Sequence, residues 1–435
     1  MSNEILGLVG LAILFAVIFI GFPIAFTLGA VSLAVGYYAL GAVVFDLAVL
    51  QTFSVMKDTV LASIPFFLFM GFLLEQSGLM ERMFTGIQQL LSGLRGSLYL
   101  AVLVTATIFA AATGIVGSSV TLLGVMAAPS MIKSGYDVRM SAGAITAGGT
   151  LGILIPPSVM LIVMGPVVGI PATELFTAAI IPGLLLSAIF TVYCLVRCWL
   201  NPALGPALPI DMRPTSMWPV VKDLVIGVMP VILVIMSTLG VILLGIATPT
   251  DAGATGSAAV FILTLASGRM TFVKIKKAAY QTLEISSMIL MLVTASNLFG
   301  SVFSRLGSAE FLATSLTGLS LPPMLLLIVV LALIFVLGWP LEWVPIVLVV
   351  VPIVLPVVQA AGIDLLWFST LVAMTLQTAW LSPPVALSAY FLKGVVPQWE
   401  LNDIYAGMVQ FMILQLVGVG LLLIFPQIAT ALLGK

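Results

Sequence analysis

The residue types best suited to bind a ligand lie in residues 148–158, Gly-Gly-Thr-Leu-Gly-Ile-Leu-Ile-Pro-Pro-Ser, within an apolar run. Inside a helix, glycine costs about 1 kcal/mol and proline about 3 kcal/mol relative to alanine, and proline donates no N–H. The sequence therefore predicts a broken helix over residues 138–165. Its freed carbonyl oxygens, with the hydroxyls of Thr150 and Ser158, could bind a small cation at mid-membrane depth. A proline kink in an ordinary helix is the alternative.

A second copy of this pattern occurs at residues 378–384, Thr-Ala-Trp-Leu-Ser-Pro-Pro. The two Pro-Pro pairs begin at Pro156 and Pro383, which are 227 positions apart (383 − 156), and Gly135 and Gly362 share that offset. This spacing indicates an internal duplication. Two broken helices at corresponding positions of two halves are the best sequence indication of a transporter's binding site.

The composition restricts the class of protein. Of 435 residues, 62% are hydrophobic and 7% charged, and the mean hydropathy of +1.29 predicts a polytopic α-helical membrane protein. The chain has no histidine, which excludes Ser–His triads and HExxH zinc sites. Its two cysteines, Cys194 and Cys198, are expected to be structural, and we expect no cofactor apart from coupling ions. No GxxxxGK loop for ATP occurs. The first residues carry no basic region, which favours a retained first helix over a cleaved signal peptide.

Taken together, these features predict an all-α fold of two inverted repeats, each with five transmembrane helices and a re-entrant hairpin. The predicted boundaries are listed here: first repeat 1–200 with hairpin 97–132 and broken helix 138–165; cytoplasmic linker 201–222; second repeat 223–435 with hairpin 311–358 and broken helix 364–392. Each hairpin arm in 97–132 has only about 13–15 apolar residues, which is short for a span. Two full spans joined by a tight turn are the alternative.

Basic residues predict the orientation. If the N-terminus lies outside, twelve of the fifteen lysines and arginines fall on the inner side. Arg269 is among these twelve, and Lys57, Arg305 and Lys435 fall on the outer side. Cytoplasmic loops carry an excess of such residues, so both termini are predicted to be periplasmic.

The hydroxyls and glycines at the breaks and hairpin tips define two candidate cation sites. Uncharged oxygens suit a weakly bound monovalent cation such as sodium, whereas divalent ions favour carboxylates. Site 1 comprises Gly114, Ser118, Ser119, Gly149, Thr150 and Pro156; site 2 comprises Gly338, Glu342, Thr378, Ser382 and Pro383. Hydroxyls that merely bond helix carbonyls are the alternative for site 1. Glu342 could also form a salt bridge or lie at the interface, and Glu75 is interpreted as interfacial.

The stretch 148–158, the Gly-Ser-Ser tip at 117–119, the Gly-Tyr-Asp connector at 135–137 and the repeat resemble the large membrane subunit (DctM type) of tripartite ATP-independent periplasmic (TRAP) transporters. The resemblance covers essentially the whole chain. The second half departs from the family pattern: Gly-Trp-Pro-Leu-Glu at 338–342 stands where members often have Gly-Met-Phe-Leu-Asp, and Ser-Pro-Pro at 382–384 where they often have Thr-Pro-Pro.

This resemblance implies a sodium-driven elevator transporter in the bacterial inner membrane. It also implies a small four-helix membrane subunit and a periplasmic substrate-binding protein that delivers an organic anion, usually a carboxylate or a sulfonate. The residues predicted to contact substrate are Ser118, Gly149, Ser158, Gln377 and Trp339. Three alternatives are a stand-alone sodium–anion symporter, an intramembrane hydrolase and a membrane scaffold without transport. The lack of histidine and of paired catalytic carboxylates disfavours the hydrolase.

Overall fold

A computed structural model of the chain describes residues 2–207, 213–214, 216–266, 268, 270–318, 321–383 and 385–434. Several positions named above lie outside these ranges: Pro384, Arg269, Lys435 and linker residues 208–212 and 215. Every regular element of the described residues is helical, as the apolar composition predicts.

The first half contains helices α1 to α10, many of them separated by glycine or proline. They are α1 (Asn3–Ile20), α2 (Ile24–Leu40), α3 (Val43–Lys57), α4 (Ser63–Gln76), α5 (Leu79–Leu90), α6 (Ser97–Thr113), α7 (Val116–Lys133), α8 (Val138–Thr150), α9 (Val159–Val168) and α10 (Ala172–Leu200). The pair α8 and α9 is the predicted first broken helix.

The second half contains helices α11 to α22, with two π-helical turns and short 3₁₀ turns between them. They are α11 (Met217–Ile235), α12 (Val241–Leu243), α13 (Pro249–Ala266), α14 (Phe272–Arg305), α15 (Ser308–Thr317), α16 (Pro323–Gly338), α17 (Trp343–Pro345), α18 (Val351–Ala360), α19 (Leu365–Leu376), α20 (Leu387–Val395), α21 (Leu401–Ile424) and α22 (Gln427–Thr430). The pair α19 and α20 is the second broken helix.

The two halves reproduce each other around the broken helices. Asp137 caps α8 by accepting a 2.8 Å hydrogen bond from the Met140 N–H, and Asp364 caps α19 in the same way from Trp367 at 2.8 Å. Both connectors use a glycine in the left-handed region with φ +69°, Gly135 and Gly362. The same local chemistry thus starts both broken helices.

Contacts between the halves are reciprocal, as a twofold relation requires. Helix α21 packs on α8 and α10 packs on α19; α13 packs on α4 and α14 on α2; α11 packs on α5 and α15 on α1. The closest approach is at Gly407, where a Cβ atom would lie 1.9 Å from the Arg139 carbonyl oxygen. The fold is thus an all-α polytopic membrane protein of two inverted repeats.

Span lengths correct one premise of the sequence analysis. Among the described residues, seven helices are long and apolar enough to cross a membrane, or eight if the bent pair α4 and α5 counts as one span. Helices α6 and α7 have 17 and 18 residues, so the estimate of short hairpin arms was wrong. The re-entrant interpretation instead depends on where the tip lies, because Gly114 at the α6–α7 turn packs against the break after α8.

Two predicted boundaries also differ from the structure. The second hairpin was expected from residue 311, but Phe311 belongs to the separate helix α15 and the first hairpin arm begins at Pro323. The linker was expected to reach residue 222, whereas α11 begins at Met217. The start of the linker is fixed to the first half, because the Leu204 carbonyl accepts a 2.7 Å hydrogen bond from the Tyr99 hydroxyl.

Candidate functional site

The first hairpin tip and the first helix break are in direct contact. Gly114 adopts φ +62°, and a Cβ there would lie 2.8 Å from the Pro157 carbonyl oxygen. The peptide bond between Pro156 and Pro157 is cis. On the other face, Gly149 leaves no room for a side chain, because a Cβ there would lie 2.4 Å from the Val120 Cγ2 atom. Glycine at both positions lets the α6–α7 tip approach the break at backbone distance.

Two of the three predicted hydroxyls of site 1 donate their protons to nearby carbonyls. Ser119 Oγ donates to the Ile115 carbonyl at 2.6 Å, and Thr150 Oγ1 donates to the Ala147 carbonyl at 2.8 Å. The buried Ser158 hydroxyl donates to the Ile153 carbonyl across the break. A hydroxyl that donates its proton retains acceptor lone pairs. Each of these oxygens can therefore still accept a hydrogen bond or coordinate a cation. This geometry fits both cation binding and the alternative of satisfied helix hydroxyls.

The two broken helices meet at equivalent positions. Gln377 Nε2 donates a 3.2 Å hydrogen bond to Thr150 Oγ1, and these residues are 227 positions apart, the repeat offset itself. Both side chains are fully buried. Gln377 Oε1 has no hydrogen-bond partner, so this central contact retains an unused acceptor.

Site 2 has the same plan with bulkier residues. Gly338 packs against Ala379, and a Cβ atom at Gly338 would lie 3.3 Å from the Ala379 Cβ. Thr378 Oγ1 donates to the Thr375 carbonyl at 2.6 Å, and Ser382 Oγ donates to the Thr378 carbonyl at 2.8 Å. A cavity of about 30 Å³ lies between this tip and this break. Its lining consists of Gly338, Trp339, Pro340, Leu341, Glu342, Ala379, Trp380, Val385 and Leu387. Pro383 lies at the break and is partly exposed.

One functional candidate in this repeat escaped sequence analysis. The Ser388 hydroxyl donates to the Trp380 carbonyl across the second break, as Ser158 does to Ile153 across the first. The carbonyls are 227 positions apart, but Ser388 lies three residues beyond the position equivalent to Ser158. A fixed-offset search therefore could not find it. Ser382 was chosen because it directly precedes the Pro-Pro pair.

A larger cavity of about 370 Å³ lies between both tips, both breaks and helix α14. Four predicted site residues line it, namely Gly114, Ser118, Ser158 and Glu342, together with Trp380 and Phe391. The other predicted residues lie behind this surface. Gly149, Thr150, Pro156 and Gln377 are buried between the helices, and Trp339 lines the smaller cavity.

Helix α14 supplies cavity residues that sequence analysis missed, Gln281 and Glu284. The helix begins at Phe272, so Glu284 lies well inside a 34-residue helix. An acidic residue inside a membrane-spanning helix is rare and costly, so Glu284 is itself a sequence signal of a functional site. Glu75, interpreted as interfacial, lies beside the Ser118 hydroxyl and near Lys277.

The donor set limits which ions could bind. Within the described ranges, no three His, Cys, Asp or Glu side chains lie close enough together to hold a metal ion. A cation at these tips and breaks would be held by carbonyls and hydroxyls, joined by the Glu342 carboxylate in the second repeat. Such oxygen ligands suit a monovalent ion better than zinc or a transition metal.

The chain matches a family of known proteins over most of its length. The family model described as "Tripartite ATP-independent periplasmic transporter, DctM component" matches residues 11–428. The C4-dicarboxylate TRAP transporter large permease protein DctM of Rhodobacter capsulatus is 28% identical over 400 residues, which cover 88% of this chain and 89% of that protein. The isethionate TRAP transporter permease protein DctMQ of Oleidesulfovibrio alaskensis is 28% identical over 381 residues, which cover 86% of this chain and 58% of that protein.

A solved structure shows the same fold. The crystal structure of the Alcanivorax borkumensis YdaH transporter matches with a TM-score of 0.62 over 89% of each chain. The sequence identity is 16%, so this likeness concerns the fold alone.

Proposed function

The chain belongs to the DctM-component family of tripartite ATP-independent periplasmic transporters, and on this premise we propose that it imports a small organic anion driven by sodium ions. The family consists of multi-pass inner-membrane permeases for the secondary transport of organic acids. The proposed substrate of this chain is a carboxylate or a sulfonate. The proposed coupling ions bind at sites 1 and 2, and we propose no other cofactor and no enzymatic activity.

The observation that carries this proposal is the contact between Thr150 and Gln377. It joins two helix breaks at equivalent positions, with a hairpin tip against each break and an open cavity of about 370 Å³ between the tips. Irregular backbone at membrane depth is tolerated only where protein buries it or water reaches it. Two such breaks around one cavity supply oxygen ligands for ions next to a space for a substrate.

Sodium coupling would solve an energetic problem. Moving one negative charge inward against an inside-negative potential costs about 2.3 kcal/mol per 100 mV. Two sodium ions moving with one monovalent anion make the transported charge positive, so the potential then favours import. The repeat offers one candidate ion site in each half.

We propose that the two tips, the two broken helices and helices α10 and α21 move together against the other helices. Their reciprocal packing, α21 on α8 and α10 on α19, supports a single block. Opening one hairpin alone would expose unpaired backbone groups to lipid at several kcal/mol each. Moving the whole block as an elevator avoids that cost.

The proposed partners are a small membrane subunit of four helices and a periplasmic substrate-binding protein. The relative named DctMQ is longer than this chain, which spans 58% of its length. We propose that both termini are periplasmic, because the basic residues at the start of α14, Lys274, Lys276 and Lys277, would then face the cytoplasm. A stand-alone sodium–anion symporter without a binding protein is the second candidate.

The test is uptake into proteoliposomes that contain this chain and its small subunit, with the purified binding protein outside. We expect uptake of one organic acid that requires an inward sodium gradient and the binding protein. Sodium-dependent uptake without the binding protein would favour the second candidate. Uptake independent of sodium across all candidate acids would contradict the proposal.

A further inference from the structure

The face of α14 that lines the larger cavity carries two polar side chains, Gln281 and Glu284, among apolar ones. Gln281 and Glu284 are three residues apart, so they lie on one face of the helix, and both line the cavity. The Gln281 Oε1 atom is buried and has no hydrogen-bond partner among the residues that the structure describes. Glu342, on the second hairpin tip, adds another carboxylate to the same cavity. We define Gln281, Glu284 and Glu342 as the acceptor surface, because ionised carboxylates only accept hydrogen bonds and the Gln281 Oε1 atom is an unused acceptor.

The described residues that line this cavity include no lysine and no arginine. A site built for an anion alone would be expected to offer such a side chain, because charge-assisted bonds from arginine or lysine are the strong ones for carboxylates. Here the available positive charge is the partial charge of helix N-termini. The starts of α7 and α9, at Val116 and Val159, both lie in the lining.

The cavity is thus polarised. One wall has helix N-termini with the hydroxyls of Ser118 and Ser158, and another has the acceptor surface. A substrate with only negative groups could bind the first wall, but the Glu284 and Glu342 carboxylates would repel it and it would have no donor for the Gln281 Oε1 atom. Leaving a buried polar group unpaired costs about 1–3 kcal/mol. A substrate with a carboxylate and a cationic N–H group would satisfy both walls.

We propose that the substrate of this chain carries an ammonium group next to its carboxylate, as an amino acid does, and that Glu284 binds that ammonium group. This inference rests on the proposed transport function and narrows its substrate class from organic anions to zwitterionic acids. Glu342 shares its tip with site 2, whereas Glu284 lies on α14 and is exposed to the cavity. Glu284 is therefore the residue that can be changed without altering either proposed ion site.

The experiment compares matched acids that differ in one group. The probes are alanine against lactate, aspartate against malate and glutamate against 2-hydroxyglutarate, each as both enantiomers. Binding to the purified full-length chain in sodium is measured by thermal stabilisation over a concentration series. We expect the tightest ligand to be an amino acid that binds at least about tenfold more tightly than its hydroxy partner, as a charge-assisted hydrogen bond would give.

The variant Glu284→Gln keeps the side-chain shape and removes the charge. We expect it to reduce the preference for the amino acid over its hydroxy partner about tenfold, while Glu310→Gln on exposed α15 leaves the preference unchanged. A tightest ligand without an ammonium group, or no amino acid that binds, overturns the proposal. A variant that changes only the sodium dependence also overturns it and assigns Glu284 to ion entry.

Failure of this inference is distinct from failure of the proposed function. Sodium-driven uptake of a hydroxy acid or a dicarboxylate in the proteoliposome assay would retain the transport function and reject the ammonium group. Binding of amino acids without any sodium-driven uptake would do the reverse.

Discussion

The breaks in the two repeats share a backbone plan but differ in the residues that fill it. In the first, Ser158 closes onto a carbonyl five residues before it, and Gly114 brings the tip to backbone distance. In the second, Ser388 closes onto a carbonyl eight residues before it, and Trp339 and Trp380 flank a small cavity. The first break is close-packed through glycines, and the second is wider and aromatic.

This difference separates what the fold requires from what the ligands require. Both repeats retain the aspartate cap and the left-handed glycine that start the broken helix. Only the second adds a carboxylate, Glu342, at its tip. We infer that the first tip itself offers a cation only neutral oxygens, with the Glu75 carboxylate of α4 beside its Ser118 hydroxyl, whereas the second tip carries a carboxylate of its own.

The largest expected effect tests the close packing of the first tip. Gly114→Ala adds a Cβ that would lie 2.8 Å from the Pro157 carbonyl and forces alanine into the left-handed region. The strain costs about 1–2 kcal/mol and the overpacking about 1–3 kcal/mol. We expect sodium-dependent uptake to fall about 100-fold.

Two matched controls separate the causes of that loss. Gly338→Ala places its Cβ 3.3 Å from the Ala379 Cβ without positive φ, and Gly135→Ala has a similar φ of +69° with no atom within 4 Å. We expect uptake to fall less than about threefold in Gly338→Ala, which has only the packing cost. We expect it to fall less than about tenfold in Gly135→Ala, which has only the strain of a positive φ. Equal losses in all three would show that close packing does not distinguish the repeats.

The second prediction concerns the central contact. Thr150→Val removes the acceptor of the Gln377 bond and a ligand oxygen of site 1, and it leaves a buried amide unpaired at about 1–3 kcal/mol. We expect the apparent sodium affinity to fall about tenfold, measured from the sodium dependence of uptake. Thr150→Ser restores the oxygen and should restore the affinity.

The comparison variant is Thr378→Val in the second repeat. Among the described residues, the Thr378 hydroxyl has one partner, the Thr375 carbonyl of its own helix at 2.6 Å. Its loss should therefore change sodium affinity less than about threefold. If Thr378→Val lowers sodium affinity as much as Thr150→Val does, the two hydroxyls contribute equally and the predicted difference between the two sites is wrong.

The sequence predicted some features of the site and missed others. The fixed offset of 227 positions located both breaks. The contact of Thr150 with Gln377 was not predicted, although it joins residues at that same offset. Ser388 was missed because three extra residues shift it past that alignment. Glu284 was missed because nothing in the repeat pattern marks it; its position inside the 34-residue helix α14 comes from the structure.

Hairpin depth could not be obtained from length either. The arms of α6 and α7 have 17 and 18 residues, which is compatible with a full span. Only the tertiary contact of Gly114 with Pro157 locates the tip at the middle of another helix. A contact between residues 43 positions apart in sequence has no signature in hydropathy.

The third prediction concerns the carboxylate that only the second hairpin tip carries. Glu342→Gln keeps the side-chain size and removes the carboxylate that lines both cavities. We expect apparent sodium affinity to fall about fivefold, for a loss of about 1 kcal/mol, and the sodium dependence of uptake to become less cooperative. Ser119→Ala, in the first repeat, should lower the affinity without removing a charge. A Glu342→Gln variant with unchanged sodium dependence would exclude the carboxylate from ion binding.

The last prediction concerns the serines whose hydroxyls bond across the breaks. Ser158→Ala leaves the Ile153 carbonyl without its donor in a fully buried bond, so we expect a loss of about 1–3 kcal/mol in stability. Ser388→Ala removes a bond that is only partly buried, where water can replace the donor, so about 0.5–1 kcal/mol is expected. Thermal unfolding of both purified variants measures the difference. Equal losses of stability would mean that the second break is as closed to water as the first. The contrast between a close-packed first break and a wider second break would then be wrong.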